Sequence, residues 1–592
     1  MLLAIKTYTL LRSLFTFALL AVYFSAYGQN VATYSVYKLE RKIGEERCTT
    51  RSVAGEQLYD ITIETNDRGT PLKLRASLTL STSQIKYSSA GQTSRFKTES
   101  IDTMVSSAGG FAISNNGSIK LKELLVASWI KASKPPLLQS AFNKAGIKLN
   151  VLGTEQALIP NKELIVIAIE GVNSVNEILW TDNEGHAVFL ATCDTEGDKR
   201  EVIDNSYISL FKAFNQKSNQ YLINAYAVHN QTLGKTYRRM AITGGNVIDV
   251  LNDGHIMYNT LVLIEDSRIA YIGKMDASRI TKDIKVINAS GRFLLPGLWN
   301  MHAHLFHPDY LKRELLSGVT TVRDLGNEFD FITRLKAAAT SSMLRAPTVH
   351  NAGLIDGRSA ATLGSMLASG DKEIKDAVKQ YYDAGFDQIK VYSSIKPGNL
   401  AKIVQEAHGY NMDVVGHVPV GTTATRCVEA GMKSISHIHY FMNALKWKNS
   451  TFTIADNKDL LDKMKLRGVV LDPTLSVYAL TNDPKLPSYK RLVKFFNDYG
   501  LPIVAGTDNE GTIADELQLY TDAGLTPLQA IQTATVVPAK FMKLLAQTGS
   551  IDFGKSADIL ILDKNPLHDI KDLKSVSTVI KGTLLMEMPV SK

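Results

Sequence analysis

In "LLPGLWNMHAHLF" (residues 294–306) an apolar run ends in two histidines one residue apart, His302 and His304, and here the rhythm of the chain changes. Before it, from about residue 236, short β-like runs such as "MAITGGNVIDV" and "NTLVLIEDSRIAYIG" are punctuated by Gly-Gly and Asp-Gly turns. After it, the apolar runs "LWNMH", "TTVRDL", "PTVHNAG", "QIKVYSS", "DVVGHV", "SISHI", "VVLDPT" and "PIVAGTD" alternate with helix-length segments. Eight such runs over about 250 residues match a (β/α)8 TIM barrel in count and size. A doubly wound open sheet is the rival α/β architecture, and no Gly-rich phosphate loop follows any of the runs to support it.

Working outward, "SIDFGKSADILILDKNPL" and "VSTVIKGTLLM" near the C-terminus return to the β rhythm. Residues 236–296 and 547–592 therefore predict one small β-sandwich domain completed by both flanks of a barrel at 297–546. From 29 to 205 the runs "LYDITIE", "LKLRASLTLS", "ELIVIAI" and "HAVFLAT" alternate polar and apolar residues between turn residues, which predicts a separate N-terminal antiparallel β domain. It holds no titratable cluster that would give it a role. Residues 206–235 have partly helical periodicity and read as a linker.

In the first 28 residues Lys6 and Arg12 precede "SLFTFALLAVYFSAY" and the small-residue pattern Ala26-Tyr27-Gly28, the pattern of a cleaved secretory signal peptide. The apolar run, about 15 residues, falls short of the ~20 that span a bilayer. The mature chain is thus expected to be exported, periplasmic or extracellular, with no integral membrane segment. Hydrophobic residues at 45% and charged residues at 21% exclude wholesale disorder and a polytopic membrane protein. A net charge of +8, spread along the chain, gives no basis for binding nucleic acid. A small-molecule substrate is the expected partner, and self-association is left open. Three cysteines are too few for a disulfide scaffold or a Cys-based zinc site. Cys48 and Cys193 could pair in an oxidising compartment, and Cys427 reads as a buried helix thiol.

Barrel enzymes build their sites from the carboxyl ends of several strands. In this sequence those ends carry His302 and His304, Lys390, His417, His437 and Asp508. Each alone has an ordinary explanation as a core or capping residue. Together they change the reading, because residues i and i+2 of a strand share a face, so His302 and His304 can grip one ion. Imidazole suits borderline cations such as zinc, and a carboxylate opposite adds charge while a position stays open for water. Lys390 sits among apolar neighbours in "FDQIKVYSS", where a buried ammonium must be paired or neutralised. Reaction of its amine with CO2 would do so, by making an anionic carbamate.

The ordered set "PGLWNMHAHL", "GVTTVRDLGN", "GFDQIKVYSS", "VVGHVP", "SISHIH", "IVAGTDN" and "LTPLQAIQTAT", followed by "GKSADILILD", resembles the amidohydrolase superfamily in its imidazolonepropionase- and prolidase-like branch. The resemblance covers about residues 236 to 590 and leaves out the N-terminal β domain. It implies two divalent metal ions, with His302 and His304 on the more buried one and His417 and His437 on the more exposed one. Lys390 would be the carboxylated bridge and Asp508 the aspartate that touches metal and exchanges protons with a bridging hydroxide. That hydroxide would attack a scissile carbonyl. Tyr392, two residues beyond Lys390, could donate to the developing oxyanion, or could only pack.

Three positions depart from the family pattern. Asn300 stands where an Asp is usual, which removes a charge and predicts weaker metal affinity; Ala514 precedes Asp515 and Glu516 where a His is frequent; and Ser436 replaces a frequent Glu. His307, His350 and His439 are candidate substrate contacts with a structural role as the alternative, and His408 reads as a surface residue. Arg323 and Asp324 are expected to pair and tie the second strand to its neighbours. The function that follows is an exported metal-dependent hydrolase of a C–N bond, in a peptide, N-acyl amino acid or cyclic amide. The alternatives are a lactonase or esterase using the same centre, and a non-catalytic periplasmic binding or scaffold protein.

Overall fold

The structure is a computed structural model that describes residues 30–106, 111–156, 158–159, 162–447 and 451–588. The expected signal peptide, 1–28, lies outside the described residues. No helix among the described residues is long and apolar enough to cross a membrane. The chain divides into two compact units, 1–218 and 219–592.

The first unit is one eleven-stranded antiparallel sheet. Its strands are β1 (Asn30–Lys38), β2 (Arg41–Val53), β3 (Glu56–Asp67), β4 (Thr70–Leu80), β5 (Gln84–Gln92), β6 (Thr98–Ser106), β7 (Lys148–Glu155), β8 (Leu164–Glu170), β9 (Glu177–Asp182), β10 (Ala187–Cys193) and β11 (Lys199–Asp204). The spatial order is β6-β5-β4-β3-β2-β1-β11-β10-β9-β8-β7, so two meanders meet where β1 pairs with β11. Alternation in β4 buries Leu74, Ala76 and Leu78 in one core with helix α1 (Ile119–Lys131), which contributes Leu121, Leu125 and Trp129. Buried Glu46 anchors the start of that helix by accepting from the backbone N–H groups of Ile119 and Lys120 and from the N-cap hydroxyl of Ser118. Helix α2 (Phe211–Asn230) occupies most of the stretch read as a linker.

All three cysteines are buried and free, so the Cys48–Cys193 pairing is not made. The reason is the sheet order: β1 and β11 lie between β2 and β10. Three strand spacings alone separate β2 from β10 by roughly 14 Å, the register offsets the two cysteines further along the strands, and a disulfide needs Cα atoms within ~7 Å.

In the second unit the two flanks of the chain meet in one nine-stranded sheet. Phe293–Pro296 pairs in parallel with Arg239–Ile248 on one side and antiparallel with Asp558–Leu562 on the other, joining the earlier segment to the last strands. Immediately afterwards the chain enters a parallel sheet of seven strands, β12 (Leu298–Ala303), β13 (Val319–Asp324), β14 (Thr348–Ile355), β15 (Gln388–Val391), β16 (Asp413–Gly416), β17 (Ser434–Ser436) and β18 (Val470–Asp472). Their order in the sheet is their order in the sequence. Residues 502–505 run between the two edges. Leu471 donates its N–H to Pro502 and accepts from Val504, and Met301 donates to Ala505. The sheet is therefore barrel-like and nearly closed.

The intervening helices cover it with apolar faces at helical spacing. Asp371–Asp383 buries Ile374, Ala377, Val378 and Tyr381, and Leu486–Asp498 buries Tyr489, Leu492, Val493 and Phe496. Arg323 and Asp324, consecutive on β13, point to opposite faces and do not pair. Asp324 accepts from the N–H groups of Leu305 and Gly326, whereas the Arg323 guanidinium crosses the sheet interior.

Burial raises all three thiols, Cys48 and Cys427 to about 12. A thiol reagent added to native protein near pH 8 is expected to label none of them, and to label three after denaturation without reductant. Labelling of only Cys427 in denaturant would show that the first unit carries the disulfide after all.

Candidate metal centre

The residues singled out at the strand ends come together at the carboxyl edge of the parallel sheet. His302 lies in β12 and His304 just beyond it, Lys390 is in β15, His417 and His437 follow β16 and β17, and Asp508 follows the segment 502–505. Nε2 of His304 is 3.0 Å and Nε2 of His302 3.3 Å from Oδ1 of Asp508, and Nε2 of His437 is 3.9 Å from Oδ2. Nε2 of His417 is 3.0 Å from Nε2 of His437. Lys390 is 1% exposed, with Nζ 6.0 Å from the ring of Tyr392. The Tyr392 ring packs on His417 at 4.2 Å between centroids, while Phe306 stacks on His304.

The far nitrogen of each imidazole is committed elsewhere. Nδ1 of His302 meets Oδ2 of Asp472 at 2.7 Å, and Nδ1 of His304 meets the Gly326 carbonyl at 2.9 Å. Nδ1 of His437 meets Oγ1 of Thr474 at 2.8 Å, and Nδ1 of His417 lies between Oγ of Ser393 and the hydroxyl of Tyr440. A carboxylate and a carbonyl can only accept, and the Thr474 hydroxyl gives its hydrogen to the Pro473 carbonyl. Nδ1 of His302, His304 and His437 must therefore carry the proton, which leaves a lone pair on each Nε2. Those lone pairs face a carboxylate, and Nε2 of His302 is buried with no hydrogen-bond partner. Acceptors turned toward acceptors need a cation among them, so the donor set fits a bound metal ion.

Burial pushes the imidazoles of His302 and His417 below their usual value and that of His437 down to about 3, which favours the neutral form a ligand needs. His304 goes the other way: burial lowers it, but the hydrogen bond and charge of Asp508 outweigh that and raise it above its usual value. Burial pulls the Lys390 amine down to about 8. The backbone is strained at the same place: His437, Thr474 and Asp508 hold positive φ angles of 65°, 50° and 52°.

Residues 293–585 match the amidohydrolase family. The chain carries an amidohydrolase family domain. Among similar proteins is ochratoxinase of Aspergillus niger, 26% identical over 415 aligned positions that cover 57% of this chain and 85% of that enzyme. Enamidase of Eubacterium barkeri is 26% identical over 335 positions, covering 52% of this chain and 83% of its own. The crystal structure of a putative prolidase from Bifidobacterium longum superposes with a TM-score of 0.52 at 25% identity, covering 60% of this chain and 97% of that one.

Within the amidohydrolase domain, Asn300 is more than a lost charge. Its Nδ2 donates to Oε1 of Glu314 at 2.8 Å and to Oγ1 of Thr507 at 3.1 Å, while Oδ1 accepts from the N–H groups of His302 and Thr507. It thus ties β12 to the backbone just before Asp508, and a carboxylate is present beside it on the helix Asp309–Leu316. Glu516 accepts from the N–H groups of Leu475 and Ser476 and so anchors the helix that follows Thr474.

The other histidines are held by structure. His350 pairs with Asp387 and stacks on Trp299, His439 meets the Tyr478 hydroxyl, His307 accepts from the N–H of Asp309, and His408 is exposed on a helix. Asp472, Thr474, Ser393 and Tyr440 escaped the sequence reading. Only Asp472 carried a signal, since it ends a strand in "VVLDPT" as Asp508 ends one in "IVAGTDN".

Burial pushes the carboxyl of Glu314 up to about 7, with Asn300 opposing. Between its ordinary value of 4.5 and 7 the folded chain keeps a proton that the unfolded chain releases. The stability that Glu314 contributes is therefore full below that window and is lost as pH rises through it. Glu314→Gln is expected to flatten the fall in Tm across that range. Asn300→Asp sets a second carboxylate against Glu314 and removes two N–H donors, so it is expected to cost about 1–3 kcal/mol with no gain in metal affinity. Chelator titration with thermal melts checks both, and tighter metal binding in Asn300→Asp would refute this account of the asparagine.

Proposed function

We propose that this chain hydrolyses the C–N bond of an amide or cyclic amide in a small molecule, at a centre for two divalent ions, zinc above all, on a (β/α)8 barrel whose eighth strand is the segment 502–505. As an amidohydrolase-domain protein it is a hydrolase of carbon–nitrogen bonds; the choice of bond and the ligand roles are the proposal. The observation that supports it most is the inward set of Nε2 lone pairs around Asp508, each imidazole held from behind. His302, His304, His417, His437 and Asp508 would hold the ions, with Lys390 as the bridging ligand in its carbamate form. A lysine amine lowered to about 8 is neutral far more often near neutral pH than an ordinary lysine, and the neutral amine is the nucleophile that reaction with CO2 requires. Bound ions of this kind supply hydroxide near neutral pH and polarise a carbonyl.

The chain's own groups do the rest. Asp508, at 24% side-chain exposure, can take the proton of the attacking water on its carboxylate and return it to the leaving nitrogen. Tyr392, whose ring packs on His417, would donate its hydroxyl to the oxyanion formed from the carbonyl. That ochratoxinase, enamidase and prolidase are among the similar proteins supports an amide over an ester.

Elemental analysis is expected to find two metals per chain. Asp508→Asn and Lys390→Ala are each expected to lose about 10²–10⁴-fold in kcat on an amide panel of dipeptides, N-acyl amino acids and cyclic amides. Metal-free protein with full activity would sink the proposal. Turnover of lactones and esters alone would move it to the esterase reading, and metal binding without turnover on either panel would move it to the non-catalytic one.

A further inference from the structure

The four imidazoles are not held alike. His304, His417 and His437 rest on neutral oxygens, whereas His302 rests on the carboxylate of Asp472, a residue with no place in the proposed ligand set. Asp472 closes β18 across the sheet from β12 and is 1% exposed. Its Oδ2 also accepts from Oγ of Ser436 at 3.0 Å and lies 3.7 Å from a terminal nitrogen of Arg323, while Oδ1 is buried without a hydrogen-bond partner. Arg323 is itself fully buried. Its Nε donates to the Met301 carbonyl at 2.7 Å and a terminal nitrogen donates to Oε1 of Gln388 at 3.2 Å. The backbone makes room for this contact. A Cβ at Gly506 would stand 2.4 Å from Cβ of His302 and 2.8 Å from Oδ1 of Asp472.

We infer that Asp472 is a positioning residue for the metal ligand His302: it locks the proton on Nδ1, orients the ring and raises the basicity of Nε2, with Arg323 as its buried counter-charge and Gly506 as the gap that admits it. The inference rests on the ligand role proposed above for His302. A carboxylate behind an imidazole strengthens it as a ligand, because the Nδ1 proton is partly drawn away and negative charge reaches the metal through the ring. A neutral hydroxyl or carbonyl does this less. In this chain the charge that Asn300 does not supply to the centre comes instead from Asp472 at the end of β18. Isolated, a buried Asp472 carboxylate would be strongly disfavoured; Arg323, Ser436 and the His302 N–H together offset that cost.

The test uses full-length protein loaded with Zn2+ and titrated with a chelator, metal per chain being measured directly; Co2+-loaded protein adds the visible spectrum of the centre. Asp472→Asn can present its amide N–H to Nδ1 and so move the ring proton to Nε2. It is expected to release one ion at about 10–100-fold lower chelator and to shift the Co2+ spectrum, with unchanged circular dichroism. Ser436→Ala leaves the carboxylate in place and is expected to change retention by no more than about threefold. If Asp472→Asn does not fold because Arg323 loses its counter-charge, the double variant Asp472→Asn, Arg323→Met removes both charges and is expected to show the same loss of metal. A folded Asp472→Asn that holds both ions as tightly as wild type overturns the inference, and His302→Ala losing an ion in the same assay shows that the ligand reading survives it. Wild-type protein that takes up no Zn2+ overturns the ligand reading and this inference together.

Discussion

Each imidazole at the mouth of the parallel sheet is gripped at Nδ1 by an oxygen of the protein, and the rest of the centre depends on that grip. With Nδ1 donating to Asp472, Gly326 or Thr474, the lone pair has one place left, on Nε2, and the strand ends aim it at Asp508. The grip explains local features that are costly by themselves. Positive φ at His437, Thr474 and Asp508 turns the chain sharply off its strands, so that side chains from the strand ends converge instead of standing apart. Backbone hydrogen bonds hold the turns in register: His437 donates to the Asp472 carbonyl and Asp508 to the His302 carbonyl.

The same geometry concentrates charge where water is scarce. Arg323, Asp472, Lys390 and His302 are all within 1% of full burial, so none is left to bulk solvent for screening. Burial lowers the Arg323 guanidinium to about 10 and the Lys390 amine to about 8, while the carboxylates around them oppose the fall. A second layer lies beneath β12, where Asn300 fastens the backbone on either side of the ligands and shields the Glu314 carboxyl. Such layers leave little freedom for the ligands to drift, and metal centres need that rigidity to keep their geometry.

Much of this was legible in the chain. Apolar runs of five to seven residues separated by helix-length segments announce the parallel sheet, and the i, i+2 spacing of His302 and His304 places both on one face whatever the surroundings. Lys390 betrays itself by its apolar neighbours. The opposite orientation of Arg323 and Asp324 was also legible in principle, since consecutive strand residues face apart, and pairing them ignored that alternation. The two cysteines show the other limit: period-two patterning marks β2 and β10 as strands but says nothing about which strands lie between them.

Local patterning by itself determined the elements, their order and the candidate ligands, because strand and helix periods and residue types at strand ends are written in neighbouring residues. Only the tertiary structure decided what stands behind each ligand. That Asp472 backs His302, that Thr474 fixes His437, that Arg323 answers Asp472 and that Asn300 leans on Glu314 are contacts between residues from 14 to 170 positions apart. Such contacts are chosen by how strands pair and close, and the free energy that selects them belongs to the packed sheet as a whole rather than to any segment of it.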